Sequence, residues 1–272
     1  LGQTCAKMGK VDWTVEIIPA EIEPPHHTVT STSGNIVRFG TDKVTNWGDQ
    51  SKLAIAFNDQ VCLSRHRLDS FADDCIILQE SAWETHEDES IRKMYADAME
   101  EMSSKNYRFI QVPIEEETLK VVDNPQHGKN MFALGMLAEI YQRDLSVIEK
   151  QIAHIFHKKP AKVTELNIQL VKNGMEWARE NLDFQFHIET IPAEESRVVM
   201  NGNQACALGA VAAGLEMCAM YPITPATSVS HELAASIDNY GGSIHQAEDE
   251  VAAAGLALGP AFGRQAHATV LS

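Results

Sequence analysis

The sequence predicts an α/β protein in which a helix-covered sheet is followed by a second unit of short strands and small-residue helices. Three observations lead there. Short β-rich segments alternate with stretches of helical spacing over the first two-thirds of the chain. A helical block closes that region. From Val198 onward the composition shifts to alanine and glycine, most densely in Ala205–Gly214 and Val251–Ala261. Alternation of strands and helices implies layers built around a sheet, and small-residue helices permit close packing against a sheet or a partner chain.

Taken in order, Leu1–Gly9 reads as the last turns of a helix capped by Gly9, and Leu271–Ser272 falls within a strand pattern, so both ends read as those of a fragment. Trp13–Ala20, Asn35–Gly40, Lys52–Asn58, Cys75–Gln79 and Phe109–Ile114 have the length and residue types of strands. Between the last two, Ile91, Met94, Ala98 and Met102 recur at helical spacing. In Asn130–Arg143, Leu134, Leu137 and Tyr141 share a face. Ser146, with Glu149 three residues on, predicts a capping box ahead of Ile152, Ile155 and Phe156. Pro160 suits the first position of a third helix, with Val163, Leu166 and Leu170 inward. The polar stretch Glu180–Arg197, which carries Pro192, ends the block. The expected organisation is a first domain over residues 1–185, a linker over 186–197 and a second unit over 198–272.

Bulk properties narrow the function. A chain of 272 residues can fill two ordinary domains. A net charge of −16 argues against nucleic acid, whose phosphates demand a Lys/Arg surface. Apolar runs are short and broken by charge, so no membrane span is expected. No basic segment followed by an apolar stretch opens the chain, so no secretion signal is expected either. Five scattered cysteines lack the spacing of a zinc or iron–sulfur knuckle and read as reduced, mostly buried thiols of a cytoplasmic protein.

Two stretches in the last quarter could carry chemistry. Tyr221-Pro222-Ile223-Thr224-Pro225 follows the strand-like Leu215–Met220. There Thr224 can serve as an N-cap with Pro225 at the first helical position. It is then either a plain structural cap or a hydroxyl at a positive helix end suited to a carboxylate. His245-Gln246-Ala247-Glu248-Asp249-Glu250 runs into the apolar Val251–Gly259. Acids in a first turn complement the helix dipole. Yet Glu250 lies nearest the apolar body, where partial desolvation would let its carboxylate bond strongly to a ligand's ring nitrogen.

Together, the run from Asn201-Gly202-Asn203 through Tyr-Pro-Ile-Thr-Pro to Gln246–Gly259 closely resembles the start of the pyrimidine domain of 2-oxoacid:ferredoxin oxidoreductases. That family's cofactor glutamate is followed by glycines five and nine residues on; Gly255 and Gly259 therefore map it to Glu250 and not Glu248. Cys75–Trp83, the Asn124-Pro125 turn and the helices through Trp177 resemble the family's γ domain, and the order γ then pyrimidine is most like the 2-oxoglutarate enzymes. The chain also departs from the pattern. The Gly-rich turn that opens a γ domain is absent, Glu23-Pro24-Pro25-His26-His27 stands where many members carry Arg-Gly-Gly, and no Ser-Gly-Pro-Gly follows Ala268-Thr269.

The resemblance implies a γ domain fused to the first part of a three-layer α/β/α pyrimidine domain of an α subunit. It implies CoA-dependent oxidative decarboxylation of 2-oxoglutarate to succinyl-CoA, with electrons passed to ferredoxin. Pyruvate or a branched-chain 2-oxoacid is the alternative substrate. Glu250 would bond N1′ of thiamine diphosphate and favour the imino tautomer of the 4′-amino group, the form that takes the proton from C2. Tyr221, Pro222 and Ile223 would line the cofactor, and Thr224 with Pro225 would hold the substrate carboxylate or 2-oxo group. A β subunit would carry the diphosphate-binding domain, Mg²⁺ and a 4Fe–4S cluster in an α2β2 assembly, with no metal on this chain.

Other readings compete. A non-catalytic assembly or regulatory subunit could retain the fold. A nicotinamide-dependent Rossmann enzyme is disfavoured because no G-x-G-x-x-G follows a strand. His154 and His157 sit three apart but lack a third metal ligand. The Thr28–Ser33 run lacks the glycines and lysine of a phosphate loop. Met94, Met99 and Met102 read as core or interface filler. His245 and His267 lie near the expected site as candidate proton relays.

Overall fold

A computed structural model of the chain describes residues 1–8, 11–17, 34–40, 44–188, 198, 200–224, 226–263 and 267–271. The polypeptide divides into two units, Leu1–Ser196 and Arg197–Ser272.

The first unit begins with α1 (Gly2–Lys7), β1 (Val11–Ile17) and β2 (Gly34–Gly40). The two strands pair antiparallel, from Val11 opposite Gly40 to Ile17 opposite Gly34. Next come β3 (Ser51–Ala56), α2 (Asp59–Arg67), β4 (Phe71–Glu80), α3 (Glu89–Met102) and β5 (Arg108–Val112). These three strands form a parallel sheet in the order β3-β4-β5. The helical block is α4 (Ile114–Leu119), α5 (Lys129–Ile140), α6 (Leu145–Ile155) and α7 (Ala161–Asn181).

The pleat of β4 assigns its residues to two cores. Cys75 and Ile77 pack with Cys62 and Leu63 of α2 and with Ala98 and Met102 of α3. Leu78 faces the other way, onto Val112, Phe132, Met136, Ile140 and Ala178. Beyond that layer, Ala138, Ile148, Ile152 and Val171 join α5, α6 and α7 in a further core. Helix α5 is thus covered from two sides, with Leu134, Leu137 and Tyr141, which share a face, half-buried. It meets α7 at Gly135 and Gly174. A methyl group at Gly135 would stand 2.1 Å from the Val171 carbonyl oxygen, and one at Gly174 the same distance from that of Phe132.

Several expected boundaries shift by one to three residues, each for a capping reason. Asn58, placed at a strand end, instead caps α2, its side chain accepting from the N–H groups of Gln60 and Val61. Ile114 starts a helix because Pro113 ends the ladder that Val112 closes. Asp144, not Ser146, caps α6, accepting from the Ser146 N–H at 2.8 Å. Pro160 occupies the cap of α7 rather than its first turn. Gly9, Pro192 and residues 18–33, with the Glu-Pro-Pro-His-His and Thr28–Ser33 segments, lie outside the described residues, as do 189–197 of the expected linker.

The second unit contains α8 (Gly202–Ala212), β6 (Met217–Met220), α9 (Thr227–Ala234), β7 (Ser243–Gln246), α10 (Glu250–Phe262) and β8 (Ala268–Leu271). Its parallel sheet runs in the order β7-β6-β8. Cys218 and Met220 pack with Ala207 of α8 and Leu233 of α9, while Ala219 packs with Ala253 and Ala257 of α10. Helices therefore cover both faces, as in other α/β layers. No helix among the described residues is long and apolar enough to cross a membrane.

Candidate functional site

Parallel strands deliver their following loops to one edge of a sheet, which is where α/β sheets bind ligands. In the second unit Met220 ends β6 opposite Gln246, the end of β7. The Ala247 N–H donates to the Met220 carbonyl at 2.8 Å and extends that register by one residue. Tyr221–Thr224 and Ala247–Glu250 therefore leave the sheet side by side, at its carboxyl edge. The Tyr221 N–H donates to the Leu271 carbonyl at 3.1 Å, tying the loop to β8 as well.

At the head of α10 the acids have separate tasks. Asp249 is the N-cap, accepting from the Ala252 N–H at 2.7 Å. Glu250 follows at the first helical position, exposed to solvent, and its carboxylate engages no hydrogen-bond partner among the described residues. The partial desolvation expected of Glu250 is thus not found in this chain. Its side chain leaves the open first turn, while the apolar contacts of α10 are made further along by Ala253 and Ala257.

Thr224 also departs from expectation. Helix α9 begins at Thr227 with Ala226 at its cap and no side-chain capping bond. The Thr227 N–H and hydroxyl both reach back to the Ile223 carbonyl, each at 2.9 Å, so the turn is closed without Thr224. Thr224 is therefore an exposed loop hydroxyl, not a cap. Tyr221 is half-buried, and Pro222 and Ile223 are exposed beside it. Pro225 lies outside the described residues.

The two histidines separate. His245, third in β7, is exposed with Nε2 3.2 Å from the Ser243 hydroxyl. The His267 N–H donates to Glu216 Oε2 at 2.8 Å, and its carbonyl accepts from the N–H groups of Glu216 and Met217. These contacts set His267 at the amino edge of the sheet, whereas Glu250 stands at the carboxyl edge. In the first unit His154 and His157 stack on a solvent-facing turn. Among the described residues no group of His, Cys, Asp and Glu could hold a metal ion. All five cysteines are free thiols, with only Cys206 exposed.

Sequence reasoning missed the capping box of α8, where the Asn201 side chain accepts from the Gln204 N–H and Gln204 returns a bond to Asn201. The Asn-x-x-Gln spacing was its signal. It also missed Glu80, which is fully buried and accepts from the N–H groups of Ala82 and Glu115 at 3.1 and 3.0 Å. Nothing in the local sequence marks it.

Comparison with known proteins bears on both units. The family model described as pyruvate ferredoxin/flavodoxin oxidoreductase matches residues 29–177, more than half of the chain. That of the thiamine diphosphate-binding region of pyruvate flavodoxin/ferredoxin oxidoreductase matches residues 208–270. The 2-oxoglutarate oxidoreductase subunit KorA of Mycobacterium tuberculosis is 29% identical over 261 residues, which cover 90% of this chain and 39% of that protein. The 2-oxoglutarate synthase subunit KorA of Methanothermobacter marburgensis is 44% identical over 64 residues, 24% of this chain and 17% of that one. A solved structure, 2-oxoglutarate:ferredoxin oxidoreductase from Magnetococcus marinus with 2-oxoglutarate, coenzyme A and succinyl-CoA bound, superposes with a TM-score of 0.75 at 24% identity. It covers 98% of this chain and 43% of the other. The chain thus spans about two-fifths of the length of the relatives it matches along most of its own length.

Proposed function

The chain belongs to the pyruvate ferredoxin/flavodoxin oxidoreductase family, and we propose on that premise that it supplies the pyrimidine-binding face of a thiamine diphosphate site in a 2-oxoglutarate:ferredoxin oxidoreductase. Residues 1–185 serve as the γ domain, 186–197 as the linker and 198–272 as the first part of the pyrimidine-binding domain. The relatives named for 2-oxoglutarate, one of them aligned over 90% of this chain, support that substrate over pyruvate or a branched-chain 2-oxoacid. The reaction is the CoA-dependent conversion of 2-oxoglutarate to succinyl-CoA, with electrons leaving to ferredoxin.

One observation carries the reading. Asp249 already caps α10, so Glu250 is a carboxylate without a structural task at the carboxyl edge, beside Tyr221–Thr224. These residues fit the pyrimidine end of the cofactor: an acceptor for a ring nitrogen, a half-buried aromatic, and exposed Pro222 and Ile223 to lie against a flat ring. When bound, the cofactor supplies a carbon nucleophile able to attack a 2-oxoacid. Glu250 accepts the hydrogen bond from N1′ and holds the pyrimidine in the tautomer competent to receive a proton. Thr224, with its hydroxyl not used in closing the turn, donates to the substrate carboxylate or 2-oxo oxygen. The chain offers no metal group among its described residues. By the family resemblance, Mg²⁺, the diphosphate-binding domain and a 4Fe–4S cluster are assigned to a β subunit, in an α2β2 assembly.

The test uses the complete complex with its partner subunit. Viologen reduction with 2-oxoglutarate and coenzyme A is compared between wild type and Glu250→Gln, alongside thiamine diphosphate binding and assembly. Loss of reduction and of cofactor affinity in an intact complex is the expected result. Full activity in the variant would reduce Glu250 to a helix-terminal acid. A wild-type complex that assembles without binding thiamine diphosphate would instead favour a non-catalytic assembly subunit.

A further inference from the structure

The carboxyl ends of β3, β4 and β5 enclose more hydrogen-bonding capacity than the protein satisfies by itself. Gln79, next to last in β4, is completely buried, yet neither its Oε1 nor its Nε2 has a hydrogen-bond partner among the described residues. Asp59, the first residue of α2 and equally enclosed, has its Oδ1 in the same condition. Its Oδ2 accepts from Gln60 Nε2 at 2.7 Å, and that nitrogen also reaches the Met94 carbonyl of α3 at 3.3 Å.

The unmet groups share one neighbourhood. Ala56 is the register partner of Gln79, and Asp59 follows Ala56 by three residues. On its other side Gln79 is paired with Gln111, whose Nε2 donates to the Tyr95 hydroxyl of α3 at 2.8 Å. Burial raises the Tyr95 pKa, the Gln111 hydrogen bond pulls it the other way, and the Glu84 and Asp59 charges add to the rise. The helix end itself asks for nothing more, because Asn58 takes the N–H groups of Gln60 and Val61. What is unmet is therefore one carboxylate oxygen and both ends of one amide. Native interiors rarely leave such atoms unpaired.

The chemistry of that set selects its occupant. An anion would be repelled by the Asp59 carboxylate. A cation would find only two oxygens and would strand the amide nitrogen. Water both donates and accepts: it can donate to Asp59 Oδ1 and Gln79 Oε1 and receive from Gln79 Nε2. We propose that Asp59 and Gln79 form an internal hydration site in which ordered water joins the start of α2 to the end of β4. Such waters are integral parts of folded proteins and make about three hydrogen bonds each.

A crystal structure of the chain, alone or in its complete assembly, tests this at a resolution that shows ordered solvent. Compact density within hydrogen-bond distance of Asp59 Oδ1 and the Gln79 amide is expected. Density for a molecule larger than water would overturn the proposal, as would a direct Asp59–Gln79 bond with no solvent between. The second arm is urea unfolding of Gln79→Met, which keeps the side-chain length but removes both polar ends. If water links the two residues, the variant strands Asp59 Oδ1 and its unfolding constant rises about tenfold or more. If the amide has no partner at all, the variant is more stable than wild type and the idea fails. Should the variant not fold, the wild-type density decides alone.

Discussion

Replacing Gly174 by alanine should destabilise the first unit despite the gain in helix propensity. The added methyl would lie 2.1 Å from the Phe132 carbonyl oxygen and 3.1 Å from the Met136 nitrogen. Both are backbone atoms of α5, so no side chain can swing aside. Relief to an ordinary contact of 3.4 Å requires α5 and α7 to part by roughly 1.3 Å. A gap of 0.5–1 Å already forfeits about a quarter to a half of a dispersion contact. Here it would open along Phe132, Met136, Ile140 and Ala178 in one core and Ala138 and Val171 in the next. Overpacking costs about 1–3 kcal/mol and sometimes more, and the immovable partner points to the top of that range. Against it stands about 1 kcal/mol of helix propensity. The net expectation is a loss of about 2 kcal/mol, or about 4–8 °C in Tm for a unit of this size. Urea titration followed by circular dichroism measures the loss. Gly135→Ala strikes the same crossing from the other side, so the double variant should lose less than the sum of the singles. A neutral or stabilising Gly174→Ala, or strict additivity, would refute the reasoning.

Gly209→Ala is the opposite case: a methyl there meets nothing within 4 Å, so helix propensity acts alone and α8 should gain about 0.5–1 kcal/mol in the same titration. Iodoacetamide at pH 8 followed by mass spectrometry should label exposed Cys206 and spare the rest. Burial pushes the Cys62 and Cys75 thiols to about 12 and Cys218 to about 11, and Cys5 is enclosed. Burial also lifts the Glu80 carboxyl above the ordinary glutamate value, with the Ala82 N–H, Lys129 and the Glu115 N–H pulling the other way. The folded chain then holds that proton more tightly than the unfolded one. Its stabilising contribution is complete below the unfolded pKa and fades as pH rises through the folded pKa. Across that interval wild type should lose stability relative to Glu80→Gln; a difference of the opposite sign in unfolding free energies would overturn the assignment.

The strands and long helices were legible because β4 and α3 carry their periodicity openly: Cys75 and Ile77 alternate with Leu78, and Ala98 and Met102 sit four apart. What misled was competition among neighbouring caps. Ser146 looked like the start of a capping box, but Asp144 stands two residues earlier with a stronger acceptor. Thr224 looked like a cap because a proline follows it, yet the helix starts beyond both. Glu250 was picked out by its spacing to Gly255 and Gly259, a family pattern. The freedom of its carboxylate depends on Asp249 taking the cap, which only the backbone geometry reveals. Gln79, Asp59 and Glu80 gave no signal, since a polar residue at a strand end or first helical turn is ordinarily wet. Their burial is set by α3 and α4, elements remote from them in sequence.

The order β7-β6-β8 also sets a schedule for synthesis. The middle strand is the first of the three to be made, and neither of its partners precedes it in the chain. Its last residue is 220, and the first residue of β8 is 268. At about 5–20 residues per second, a ribosome needs several seconds to cover that interval. For that time Met217–Met220 has at least one bare edge, and α9 and α10 are made without a finished sheet to rest on. Slowing of translation between codons 221 and 267 would lengthen that exposure, whereas a similar pause after codon 271 would come once both β7 and β8 have been made.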